Sequence, residues 1–146
     1  MLPVLEMAQV ASFYTRGLTM VGFVTTGGQS YAGKHLLIDL YDCANHGSQQ
    51  EIQEVMIKSC QAAGATVLFS YLHPFTGGGV SGAVILAESH ERIHTWPEMN
   101  FVSLDIFVCG DCDPWQAVPI LTDYFQPTTK TISEQKRGVL PAAILV

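Results

Sequence analysis

Apolar positions along this chain of 146 residues follow two periodicities, and the points where one gives way to the other divide it into elements. Gly33–Tyr41 (GKHLLIDLY) is a mostly apolar, partly alternating run, which predicts a β-strand. After it the spacing changes: Ile52, Val55, Met56, Cys60 and Ala63 recur on one face of a helix. Ser48-Gln49-Gln50-Glu51 has capping-box form, with a hydroxyl and a carboxylate placed to satisfy free backbone amides, and Gly64 supplies the stop. Strands are predicted over Ala65–Leu72, Val80–Ala87, Glu91–Trp96 and Phe101–Val108, with a glycine-rich loop at His73–Gly79. Alternation in the third of these puts Ile93 on one face and Arg92, His94 and Trp96 on the other, until Pro97 ends it. Asp113 and Pro114 open a second helix, whose predicted apolar face is Trp115, Val118, Leu121 and Phe125. Pro119 must kink that helix or delay its start. A polar strand around Thr128–Lys136 closes the series. The order β-α-β-β-β-β-α-β predicts an α+β fold: an antiparallel-rich sheet with two helices packed on one face.

Composition narrows the function classes. The chain is 48% apolar and 14% charged, which suits a folded domain and leaves room for a buried homo-oligomer interface. A net charge of −6 without a Lys/Arg cluster argues against nucleic acid and anionic membrane as partners. Apolar runs fall short of the roughly 18 residues of a spanning helix. Glu6 stands where a secretion signal would carry positive charge, so a cytoplasmic location is expected. The expected organisation is an N-terminal extension at 1–32, a single domain at 33–138 and an apolar tail at 139–146. Cysteines 43, 60, 109 and 112 are expected as free thiols. Cys109 and Cys112 have CxxC spacing, but zinc would need a second ligand pair, and no metal site is expected.

The chemistry concentrates at Glu88-Ser89, where an apolar strand runs into Ser89, His90 and His94. A serine hydroxyl can attack the preceding carbonyl if the turn is strained and the oxyanion is stabilised. With GKHLLIDLYDC upstream, GGVSGAVILAESH and IHTWPE around the junction and DIFVCG beyond, the chain resembles prokaryotic S-adenosylmethionine decarboxylase from about Gly33 to Gly138. The resemblance implies a pyruvoyl enzyme that cuts itself between Glu88 and Ser89, into a β chain of residues 1–88 and an α chain of residues 89–146. The pyruvoyl group would form at Ser89 and take the substrate amine as a Schiff base. Cys109 would be the proton donor of catalysis, and His94 and Ser81 would assist processing. Phe75 and Trp96 would face the adenine and the sulfonium, and Glu98 would hold the ribose hydroxyls. The product would be the aminopropyl donor for spermidine. The resemblance further implies a homodimer of processed protomers in an αββα arrangement. Glu91, Arg92 and Met99-Asn100-Phe101 depart from the family pattern near the expected substrate pocket. Two alternatives stay open here: the same machinery acting on arginine or ornithine, and an unprocessed, non-catalytic regulatory homologue.

Overall fold

The computed structural model describes residues 23–140. The rest of the 1–32 extension and of the 139–146 tail, namely 1–22 and 141–146, lies outside the described residues. The described part of the extension is a hairpin of β1 (Val24–Thr26) and β2 (Gln29–Tyr31). It is tied to the body where the Leu140 N–H donates to the Ser30 carbonyl at 2.9 Å.

The body is built from β3 (Gly33–Tyr41), α1 (Gln49–Ala62), β4 (Val67–Pro74), β5 (Val80–Leu86), β6 (Ser89–Trp96), β7 (Phe101–Cys109), α2 (Ala117–Phe125) and β8 (Thr129–Arg137). Its six strands lie in the order β4-β5-β6-β7-β3-β8, and every neighbouring pair is antiparallel. This is the α+β arrangement expected from the sequence, with every predicted strand and helix present.

Local chemistry accounts for the element ends. At α1 the Glu51 N–H donates to the Ser48 hydroxyl at 3.2 Å, and the Ser48 N–H donates to the Glu51 carboxylate at 2.9 Å. Gly64 then leaves the helix at φ +85°, a conformation that costs glycine little. The second helix takes the delayed start. Pro114–Gln116 forms a 3-10 turn capped by Asp113, and Pro119 falls in the first turn of α2, where its missing N–H costs no hydrogen bond. Trp115 is thereby turned out of the core, contrary to expectation. It is 40% exposed, and its indole N–H donates to Glu134 of β8.

The strand pleat separates two faces. Leu36, Ile38 and Leu40 of β3, Ile93 of β6 and Val102, Leu104 and Ile106 of β7 point to one side. There they pack under Ile52 and Met56 of α1 and Leu121 and Phe125 of α2. Burying each such side chain is worth about 1.5–3 kcal/mol, so this face supplies most of the folding drive. The opposite face carries no helix among the described residues. It exposes Leu37, Phe69, Tyr71, Ile85 and Trp96, each 40% accessible or more. Polar groups capable of chemistry alternate with these apolar ones.

Candidate active site

Two groups of predicted residues stand at opposite ends of β6. At its start, Ala87 and Glu88 form the turn out of β5. The Ala87 N–H donates to the Thr66 carbonyl at 2.9 Å. The Glu88 carboxylate accepts from the Thr66 N–H at 2.9 Å and the Thr66 hydroxyl at 3.1 Å. The backbone N–H chiefly holds this carboxyl below its usual range. Ser89 follows with φ +156°, a value that residues with a Cβ rarely adopt. It pairs with Val108, which sets Cys109 beside the turn at the end of β7. Ala87, Glu88, Cys109, Gly110, Asp111 and Cys112 line a cleft of about 540 Å³. Burial, and then the Glu88 charge, push the Cys109 thiol up, so it holds its proton at neutral pH as a donor must.

At the far end of the strand, Ser81 on β5 pairs with His94 on β6, and Oγ lies 2.9 Å from Nδ1. His94, Phe75, Trp96 and Glu98 line one cleft of about 550 Å³. Its aromatic wall is fixed from behind: Trp96 stacks on Phe101 at 5.3 Å and Phe101 on Tyr41 at 5.2 Å. The glycine loop makes its rim as a tight turn, with Gly77 and Gly78 at φ above +100° and the Phe75 N–H donating to the Gly79 carbonyl at 2.7 Å. The three residues expected to hold substrate therefore share one cleft. His94 and Ser81 do not reach Ser89 in the same chain, because five strand residues at about 3.3 Å each place them roughly 16 Å away.

A third group between these two was not singled out by its sequence signal. Asp105 of β7 accepts from His35 Nε2 at 2.6 Å and from His90 Nε2 at 3.3 Å. Arg92 also donates to it, through Nε at 2.9 Å and a terminal nitrogen at 2.7 Å. Burial opposes its ionisation, but the Arg92 and then the His35 hydrogen bonds outweigh this and hold the carboxyl below its usual range. The ligand atoms of His35, His90 and Asp105 lie within 4.8 Å of one another, as metal ligands can. Here they are committed to hydrogen bonds, and Arg137 also donates to His35 Nδ1 at 3.0 Å. The polar alternation of β3, β6 and β7 hinted at this face. Only the sheet order β6-β7-β3 makes the residues neighbours.

Glu91 and Arg92 separate completely, since successive strand residues point to opposite faces. Arg92 lies on the open face with Asp105. Glu91 is fully buried beneath the helices, away from the substrate cleft where its departure from pattern had placed it. Its carboxyl meets the Ser59 hydroxyl at 2.8 Å and the Cys60 thiol at 3.1 Å. Burial pushes its pKa up to about 7.

Among known proteins, the family model described as S-adenosylmethionine decarboxylase matches residues 34–138. Similar curated proteins are named S-adenosylmethionine decarboxylase proenzyme. That of Caldicellulosiruptor saccharolyticus is 38% identical over 78% of this chain and 94% of its own length. That of Acetivibrio thermocellus is 39% identical over the same shares. That of Carboxydothermus hydrogenoformans is 40% identical over 74% of this chain and 87% of its own. The crystal structure of the adenosylmethionine decarboxylase from Aquifex aeolicus VF5 superposes with a TM-score of 0.67, at 29% identity, covering 75% of this chain and 92% of that one.

Proposed function

This chain belongs to the S-adenosylmethionine decarboxylase family, and from that premise we propose that it is a self-processing enzyme converting S-adenosylmethionine to its decarboxylated form and CO2. The observation that carries the reading is the turn at Ser89. A residue with a Cβ at φ +156° stores strain next to the bond that must break, and Thr66 pins the carboxylate of Glu88 in place. Cleavage there would give chains of residues 1–88 and 89–146, with a pyruvoyl group at position 89. The position fits that group: it opens a strand beside the cleft that holds Cys109. The pyruvoyl supplies the carbonyl that takes the substrate amine and the electron sink used when CO2 leaves.

The protein's own residues do the rest. Cys109, protonated at neutral pH, delivers a proton to the substrate α-carbon. Phe75 and Trp96 offer π-faces to the adenine and the sulfonium, and Glu98 accepts from the ribose hydroxyls. Their shared cleft supports a nucleoside substrate over arginine or ornithine, which have no ribose to hold. The decisive assay is CO2 release. S-adenosylmethionine should give it, and release from arginine or ornithine alone would overturn the substrate assignment. Cys109→Ala should still mature, yet lose turnover by on the order of 100-fold, the usual worth of a general acid.

Two copies complete the site in this reading. A single chain leaves Trp96 of the cleft, seven strand residues along β6, roughly 23 Å from Ser89, and exposes an apolar sheet face with nothing over it among the described residues. Antiparallel stacking of two such faces buries the apolar residues and brings Ser81, His94 and the substrate cleft of one protomer to Ser89 of its partner. Co-expression of Ser89→Ala and His94→Ala chains tests this. The His94→Ala chain should regain cleavage, because its partner supplies an intact His94, whereas action within one chain predicts no recovery.

A further inference from the structure

We propose that His90, oriented by Asp105, is the general base that activates Ser89 for the acyl shift. This deepens the self-processing reading and rests on it. Side chains of adjacent strand residues normally point to opposite faces. The unusual φ of Ser89 cancels that alternation, and its Oγ lies 3.3 Å from Nδ1 of His90. The other ring nitrogen, Nε2, lies 3.3 Å from the Asp105 carboxylate, which can only accept. Nε2 therefore carries the proton, and Nδ1 of the neutral ring turns a lone pair toward the serine hydroxyl.

The Asp105 carboxylate is itself held. Arg92 grips it through two nitrogens. His35 donates to it through Nε2, since Arg137, a pure donor, occupies the His35 Nδ1. Serine, imidazole and carboxylate thus form a directed chain in which each member fixes the next. His35 and Phe107 also pack against the His90 ring, at centroid separations of 5.9 and 6.0 Å.

The step balances within these groups. Nδ1 of His90 takes the proton from Ser89 Oγ as the oxygen bonds to the Glu88 carbonyl carbon. The carbon–nitrogen bond between Glu88 and Ser89 then breaks, and its electron pair goes to the Ser89 nitrogen. That nitrogen takes the proton back from Nδ1, leaving an ester and a free amine. His94 of the same chain is too far away to serve this step.

The test follows full-length chains from cell-free synthesis, with gel, intact mass and neutral hydroxylamine, which cleaves esters and spares amides. His90→Gln keeps a donor near the Nε2 position for Asp105 but removes the base at Nδ1. It should slow cleavage on the order of 100-fold and accumulate an uncut chain that hydroxylamine does not split. Imidazole added to His90→Gly should restore cleavage, which a purely structural role would not allow. Asp105→Asn should slow cleavage tenfold or more alone and add nothing in the His90→Gln background, and Asp105→Glu should recover part of the rate. Cleavage of His90→Gln at the normal rate would overturn the proposal, as would an uncut His90→Gln chain that hydroxylamine does split, which moves the defect to the later elimination. If the unsubstituted chain never cleaves, the self-processing reading itself has failed.

Discussion

A Ser89→Ala chain should stay whole and release no CO2 above background. The unsubstituted protein should resolve under denaturing conditions into two fragments divided after Glu88, the smaller with an N-terminus closed to amine reagents. The effect is large because both events depend on one oxygen. Without Oγ nothing attacks the Glu88 carbonyl, and without the cut position 89 gains no carbonyl with which to take a substrate amine. The substitution should leave folding intact. Ser89 pairs with Val108 through its backbone, and its hydroxyl reaches only His90 among the described residues. Intact mass settles the matter, and a Ser89→Ala chain that still divides at this bond would remove Ser89 from the chemistry.

The second large effect concerns stability. Glu91 is a wholly buried carboxyl with no salt-bridge partner among the described residues, and its hydrogen bonds can also be met with the carboxyl protonated. Ser59 has a single hydroxyl proton, and the Met56 carbonyl lies 2.7 Å from it. If Ser59 donates there, a protonated Glu91 can donate through Oε1 to the Ser59 oxygen 3.1 Å away, while the Cys60 thiol donates to Oε2. Burial lifts the Glu91 pKa from 4.5 to about 7 in the folded chain. Between these values the folded state holds a proton that the unfolded state has lost. Stability from this group is therefore full below pH 4.5, falls as pH rises, and is exhausted once pH passes about 7. The fall amounts to about 3 kcal/mol, at 1.36 kcal/mol per pKa unit. Glu91→Leu, close in volume and free of charge, should abolish this slope and leave the protein about 1–3 kcal/mol more stable at pH 8. Urea unfolding in the uncut Ser89→Ala background, from pH 4.5 to 8, measures both quantities. A difference between the two chains that does not change with pH would refute a titrating Glu91.

Much of this architecture was legible in the sequence, for local reasons. The capping box at Ser48–Glu51 and the helical spacing of Ile52, Met56 and Cys60 act within one element, and α1 begins and ends where they indicate. The pleat parity of β6 was equally readable, and Arg92, His94 and Trp96 do share a face. Phe75, Trp96 and Glu98 meet in one cleft, as expected of residues on a loop and a strand end that face each other. The Asp105 cluster was harder to see because it joins residues 35, 90 and 105, and no local pattern reports which strands are neighbours. Glu91 was misplaced for a different reason. Its parity with Ile93 pointed inward, but a charge is normally expected at the surface, and its partners Ser59 and Cys60 sit on a distant helix. Trp115 failed because the 3-10 turn before α2 changes the angular step per residue, which rotates the indole outward.

The order of strands has a consequence for the life of the mature protein. Residues up to Glu88 supply β4, β5 and β3, and those after it supply β6, β7 and β8, so ownership of the sheet changes at β5-β6, at β7-β3 and again at β3-β8. Once the bond is cut, two polypeptides are laced through each other like the fingers of clasped hands, and neither can leave without tearing three seams. The uncut chain folds as one molecule, with a two-residue turn keeping β5 and β6 close. A processed pair that has come apart must first meet again, so its recovery is second order and slows with dilution. Self-cleavage would thus turn folding into a one-way passage, and the enzyme would have to finish assembling before it becomes active.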